Sequence, residues 1–212
     1  MKLLLTSNGI TNSSIASSLD KLLIKPKEEI KIGLIPTAAN VEEGNKDWFL
    51  EQFTDLHNFG FTNIDIVDIS AADVQWKERL EKVDIIYVSG GNTFHLLNQV
   101  RRTGFDTWLK ENLDNKVYVG TSAGSIIITP TIAIAGVEPG DINLPHITDL
   151  TGLGVVHFEI SPHTPEMVTY ENATKYADIT SNEFYCIDDQ TAIEIVYDTV
   201  RVISEGTWKK IK

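Results

Sequence analysis

The pentapeptide Gly120-Thr121-Ser122-Ala123-Gly124 matches the pattern G-x-S-x-G, in which a sharp turn between a strand and a helix presents a serine hydroxyl. It follows an apolar run of buried-strand type and precedes a helix-capable segment, the context such a turn requires. Small flanking residues suit it, because the backbone there passes close to neighbouring strands. The chemistry is attack by Ser122 on a carbonyl carbon, with the Ala123 amide facing the developing oxyanion. A plainer reading makes Ser122 the N-cap of the next helix.

A second loop, Ser89-Gly90-Gly91-Asn92-Thr93, follows another apolar run. Consecutive glycines let amides point into a crevice, and Gly91 is the candidate partner of Ala123 in a two-donor oxyanion hole. Asn92 and Thr93 are candidate substrate-binding residues, in competition with a role as helix cap. The loop lacks the lysine of a phosphate-binding P-loop.

A serine nucleophile needs a base. Of the five histidines, His57 and His95 fall in helical segments, and His146 lies in a loop without a motif. His157 reads as a buried member of a strand from Val155 to Ile160. His163 follows that strand in Ser161-Pro162-His163, where Pro162 restricts the backbone, and is the candidate base. A third group must orient the imidazole. Asp188 and Asp189 stand beside a strand end, and adjacent side chains diverge, so at most one reaches His163; an acidic turn is the plainer alternative. No third hard ligand at close spacing suggests a metal.

These residues need a scaffold that brings them to one level. Apolar runs at Leu3 to Thr6, Ile30 to Pro36, Ile64 to Ile69, Val83 to Ser89 and Val117 to Gly120 are nearly continuous, as in strands buried on both faces of a parallel sheet. Between them, Ser13 to Ile24, Trp48 to Phe59, Val74 to Leu80 and Phe94 to Leu113 have helical spacing, the last broken near Gly104. After Ser122 come an irregular stretch from Pro130 to Gly154, the strand Val155 to Ile160, a helix from Pro165 to Ile179, and a hairpin of Ala192 to Tyr197 and Val200 to Ser204 turning through Asp198-Thr199. The expectation is one α/β domain over 1–212: a three-layer sandwich with a mostly parallel sheet and an antiparallel C-terminal edge. Ligands of such sheets bind beyond the carboxyl ends of the strands.

The 212 residues are 42% apolar and 23% charged, an ordinary globular composition. Thirty acidic and 18 basic residues give a net charge of −12, which repels phosphate backbones and argues against nucleic acid as a partner. One cysteine, Cys186, allows no internal disulfide, and the opening MKLLLTSNGI is too short an apolar run for a leader. A cytoplasmic protein is expected. The stretch from Ile126 to Val137 falls short of the ~20 residues that cross a bilayer, so no membrane association is expected.

Together these motifs resemble the aspartyl dipeptidase (peptidase E) family of serine peptidases, which is related to the cyanophycinases. The resemblance runs from Leu3 to about Gly206, strongest at Val88 to Phe94, Gly120 to Gly124, Ile160 to His163 and Ile187 to Ala192. It implies a flavodoxin-like fold similar to class I glutamine amidotransferases, Ser122 as nucleophile, His163 as general base and acid, and oxyanion amides at Gly91 and Ala123. It places Asp189 where the family usually has glutamate. It implies a small peptide as substrate and no cofactor; the oligomeric state is open, a homodimer included. The family's arginine for an N-terminal aspartate has no counterpart, since Thr164 to Gln190 contains only Lys175, a poor replacement for a bidentate clamp. The alternatives are an esterase or amidase on the same triad, or a non-catalytic flavodoxin-like binding module. A glutamine amidotransferase is disfavoured, because its nucleophile is a cysteine.

Overall fold

The computed structural model describes residues Met1–Lys212. In chain order the elements are β1 (Lys2–Thr6), α1 (Ser13–Leu22), β2 (Lys31–Ile35), α2 (Asp47–Asn58), β3 (Asn63–Ile66), α3 (Trp76–Leu80), β4 (Ile85–Val88), α4 (Thr93–Thr103), α5 (Phe105–Asn112), β5 (Val117–Thr121) and α6 (Ala123–Ile126). After a long irregular segment come β6 (Phe158–Ser161), α7 (Tyr170–Ile179), β7 (Glu183–Ile187), β8 (Thr191–Val196), β9 (Thr199–Ser204) and β10 (Trp208–Lys210).

Seven strands form the main sheet in the order β3-β2-β4-β5-β1-β8-β9. The first five are parallel, and β8 and β9 continue the edge antiparallel. Continuous apolar runs pay off because alternate side chains feed two cores. Leu3, Leu5, Ile86, Val88 and Tyr118 point to one, with residues of α3, α4 and α5. Leu4, Ile85, Tyr87, Val117 and Val119 point to the other, with residues of α1 and α2. The layers are therefore helix, sheet and helix, as the apolar runs predict. Gly104 takes φ 72 between α4 and α5, which accounts for the break in that helical pattern.

Several expectations need correction. A second sheet, in the order β10-β7-β6, packs beside the first; a strand end at Ile187 is expected, but neither this separate sheet nor β10 is anticipated by the periodicity. The run from Val155 becomes a strand only at Phe158, because the Val155 and Val156 amides donate to Ile128 O at 2.8 and 3.3 Å. His157 consequently lies ahead of β6 and is exposed, not buried. Its supposed facemate Glu159 is fully buried and accepts from Tyr176 Oη at 2.5 Å, from Asn182 Nδ2 at 2.7 Å and from Thr180. The helix expected from Pro165 begins at Tyr170, with Thr169 as its cap. His163 O instead accepts the Met167 and Val168 amides at 2.7 and 3.1 Å, a tight turn directly after the candidate base. The C-terminal hairpin turns at Tyr197-Asp198, since Val196 pairs with Thr199. No helix is long and apolar enough to cross a membrane.

Gly124 shows how closely α6 sits on the sheet: a Cβ there would lie 2.2 Å from Val88 O. That neighbour is backbone in a central strand and cannot swing aside. Gly124→Ala should therefore lower stability by about 3 kcal/mol, read as a shifted urea midpoint at unchanged m-value. A loss under about 0.5 kcal/mol, the size of an ordinary surface substitution, would show that this contact does not constrain the turn.

Candidate active site

At the carboxyl end of β5 the chain reverses into α6 through Ser122, whose φ of 49° and ψ of −109° are unusual for a residue with a side chain. Such a conformation costs roughly 1–3 kcal/mol and persists only where the surroundings impose it. Here the Ser122 N–H donates to Thr6 O at 3.0 Å, and Ser125 Oγ donates to the same carbonyl at 2.8 Å. Ser125 and Ile126 amides donate back to Ser122 O at 2.8 and 2.9 Å. The Ser122 side chain makes no capping bond to α6. Its Oγ stands 3.0 Å from His163 Nε2 instead.

His163 reaches this position from the end of β6, again with positive φ, 53°. Its Nδ1 is 2.6 Å from Asp189 Oδ1, so the tautomer that donates to Asp189 leaves Nε2 free to accept from Ser122. Asp189 follows β7, and its backbone carbonyl accepts from Thr11 Oγ1 at 2.8 Å. Burial pushes the Asp189 carboxyl up, but the hydrogen bond and charge of His163 and the hydrogen bond of Ser7 together hold it below the ordinary aspartate range. Asp188 points away from the imidazole. It accepts from Thr191 Oγ1 at 2.6 Å, from the Gln190 amide at 3.1 Å, and from the Thr207 N–H and hydroxyl. One acid binds the histidine and the other ties the strand ends together.

Ser7 is missed by sequence reasoning. It follows β1, is fully buried, donates through Oγ to Asp189 Oδ1 at 2.7 Å and accepts the His163 N–H at 2.8 Å. One hydroxyl thus fixes both the carboxylate and the backbone that carries the imidazole. The only available signal is its place at the carboxyl end of an apolar run, where α/β sheets bind ligands.

In the glycine loop, Gly91 has φ 126, and a Cβ there would fall 2.4 Å from both the carbon and the oxygen of the Ala38 carbonyl, so only glycine fits. Neither the Gly91 nor the Ala123 amide donates to a protein acceptor. Asn92 is buried as the cap of α4, accepting from the His95 amide at 2.9 Å and donating to Ile142 O at 2.9 Å. Its hydrogen-bonding groups are engaged and it does not line the cavity, whereas Thr93 does. The Thr93 N–H donates to Asp141 Oδ2 at 2.7 Å.

The cavity in front of Ser122 measures about 420 Å³. Its apolar side includes Ile134, Val137, Met167 and Val168, and its polar side includes Glu42, Gln52 and Asp141; no lysine or arginine lines it. Burial raises the Asp141 carboxyl, with Thr93 and the charge of His163 opposing. Outside the site, Cys186 is buried in β7 with its thiol pushed up to about 12 by burial. That placement makes it an inert core residue. His57, His146 and His157 are exposed, and burial lowers the pKa of His95 on α4. No group of three or more His, Cys, Asp or Glu side chains is placed to hold a metal ion.

The model of Peptidase family S51 matches residues 3–203. An uncharacterized peptidase of Pasteurella multocida is 33% identical over 172 residues, covering 79% of this chain and 82% of the relative. A peptidase E of Nostoc is 27% identical over 193 residues, covering 84% of this chain and 74% of the relative. Among solved structures, a Listeria monocytogenes protein described as a peptidase E aligns with a TM-score of 0.82 at 28% identity, covering 97% of this chain and 98% of the other.

The Asp189 environment predicts a pH signature of folding. Its carboxyl titrates lower when folded than when unfolded. The stability it contributes is therefore complete above the ordinary aspartate range and is lost as pH falls through the folded value. Urea midpoints measured from neutral to acidic pH should decline less steeply for Asp189→Asn than for the wild type. Ser7→Ala, which removes one of the bonds that lowers Asp189, should lie between them. A Ser7→Ala profile parallel to wild type would mean that the hydroxyl does not hold the carboxylate.

Proposed function

The chain belongs to peptidase family S51 and is a serine-type peptidase, and from that premise we propose that it cleaves small peptides through Ser122, His163 and Asp189. The observation that carries this reading is the continuous relay from Ser122 Oγ to His163 Nε2 at 3.0 Å and from His163 Nδ1 to Asp189 Oδ1 at 2.6 Å. Ser122 Oγ adds to the scissile carbonyl while its proton passes to His163 Nε2, and Asp189 balances the imidazolium. The carbonyl oxygen becomes an oxyanion facing the Gly91 and Ala123 amides, each such donor being worth roughly 10²–10³ in kcat. Collapse breaks the C–N bond, and the leaving amine takes the proton from His163. Water then adds to the acyl-enzyme, giving its proton to His163, and release of the acid returns that proton to Ser122. A cytoplasmic setting belongs to the same reading and rests on the lone, unpaired Cys186.

A preference for N-terminal aspartate is not part of it. Lys175 is exposed on α7 and paired with Glu171 at 2.7 Å. Arg79 binds Asp65, Arg101 the Asp149 and Thr151 carbonyls, Arg102 the Ser70 carbonyl, and Arg201 faces Glu194. None lines the cavity, so a carboxylate side chain entering it meets no counter-charge.

Ser122→Ala should lower kcat by roughly 10⁴-fold or more with the fold intact, and His163→Ala should be about as damaging, because such groups act as a unit. His157→Ala, at an exposed position, should leave both activity and stability near wild type. Activity of Ser122→Ala within tenfold of wild type would refute the nucleophile. Labelling by a fluorophosphonate separates an activated serine from a non-catalytic module, and a panel of esters and amides tests the esterase alternative.

Substrate choice gives a separate test. The kcat/KM for Asp-X dipeptides should not exceed that for Ala-X dipeptides measured on the same preparation. A clear Asp-X preference would require a cation brought into the cavity.

A further inference from the structure

Two carboxylates, Asp141 and Glu42, stand in the cavity wall outside any ion pair. Asp141 is held by Thr93, whose N–H donates to Oδ2 at 2.7 Å, and forms no ion pair. Glu42 lies close enough that burial and the Asp141 charge both push its carboxyl up, against the influence of Asn92 and Lys46. Lys46 forms no ion pair with it and does not line the cavity. The other charged groups facing this space are His163 and Asp189, which already satisfy each other.

Gln52 is an independent observation at the same cavity. It lines the wall from α2, is only 2% exposed, and neither its Nε2 nor its Oε1 finds a hydrogen-bond partner. A buried carboxamide left unsatisfied on both sides is destabilising, and the rare cases in native proteins call for a functional explanation. A ligand that brings donors would satisfy Gln52 Oε1, and the peptide carbonyl beside such a group would give Nε2 an acceptor. An ammonium group carries three N–H donors and a positive charge, which matches two carboxylates and an amide oxygen. A carboxylate ligand could accept from Gln52 Nε2 but would face the repulsion of both Asp141 and Glu42.

We propose that Asp141 and Glu42, with Gln52 completing the polar wall, form a subsite for an alkylammonium group of the substrate peptide. The inference rests on the reading of Ser122 as the peptidase nucleophile and adds the substrate class: small peptides with a cationic nitrogen near the scissile bond. That nitrogen is either the α-amino group of an unblocked N-terminus or the side chain of lysine, the shared chemistry being R–NH₃⁺.

Four substrates separate the two sources on the full chain: Lys-Leu, norleucyl-Leu, and the N-acetylated form of each. Acetylation removes the α-ammonium, and norleucine keeps the lysine stem without its charge. At least one of these changes should lower wild-type kcat/KM tenfold or more, as loss of one partner of a desolvated charge pair does, and whichever does so identifies the nitrogen. In Asp141→Asn and Glu42→Gln that penalty should shrink to about threefold or less, since the neutral amide no longer distinguishes the charged from the uncharged peptide. Gln52→Leu should lower kcat/KM about tenfold with Tm unchanged or raised, because it removes an unsatisfied buried amide. Wild-type rates that vary less than threefold across the four peptides would overturn the subsite, as would a penalty that survives in both acidic-wall variants. An unchanged kcat/KM in Gln52→Leu would remove Gln52 from it. Fluorophosphonate labelling of the wild type reports the nucleophile separately: labelling with turnover but no ammonium preference defeats the subsite alone, and absence of both defeats the reading and the subsite together.

Discussion

The carbonyl oxygen of Thr6 accepts two hydrogen bonds, from the Ser122 amide at 3.0 Å and from Ser125 Oγ at 2.8 Å, and the geometry of the site is built out from that point. A residue with a side chain does not hold φ 49 and ψ −109 unaided. The turn is clamped between β1, which supplies that carbonyl, and β4, on which Gly124 lies too closely for any side chain. The next residue along β1 is Ser7, which holds both the carboxylate and the backbone of the histidine. Two consecutive residues of one strand end therefore set Ser122 on one side and His163 and Asp189 on the other. Their separation is fixed by the chain's own covalent geometry.

The parallel sheet was legible because its strands are buried on both faces, so Leu3 to Leu5 and Ile85 to Val88 stay apolar without alternation. Ser122 and His163 were legible because each sits in a local pattern with a mechanical reason, a glycine-flanked turn and a Pro-His pair after a strand, whereas the acidic strand end left Asp188 and Asp189 open and only the resemblance pointed to Asp189. Ser7 has no such pattern. Its role arises only because β1 lies between β5 and β8 in the sheet order, which places residue 7 beside residue 189. The second sheet escaped for a similar reason, since β10 is a three-residue strand of exposed residues, Trp208–Lys210, whose pairing with β7 is a tertiary fact. Asn92 illustrates the opposite case, where the plain capping chemistry of its residue type accounts for its side-chain oxygen, while the amide nitrogen ties the loop at Ile142.

Charge is distributed with a bias that the net value of −12 does not convey. The arginines are each bound at the surface or to loop carbonyls, while Glu42 and Asp141 face the interior of the cavity. The walls are thereby electronegative in a confined, partly desolvated space, where fields act more strongly than at an open surface. His163 sits in that field, and in the proposed mechanism an imidazolium there would be stabilised by Asp189 first and by the wider acidic wall second. The walls proposed to receive an ammonium group would, by the same field, favour positive charge on His163.

The placement of β1 has a consequence for when the molecule becomes reactive. Its neighbours in the sheet are β5, from Val117, and β8, from Thr191, so β1 is fully paired only once a strand about 190 residues further along the chain has been made. A chain emerging from synthesis amino end first carries Ser122 long before it carries His163 or Asp189. Without them that serine is an ordinary alcohol, a weak nucleophile at neutral pH. On the proposed reading, the relay is therefore complete only when the strands that carry His163 and Asp189 have closed on β1, and Ser122 gains its base at that step.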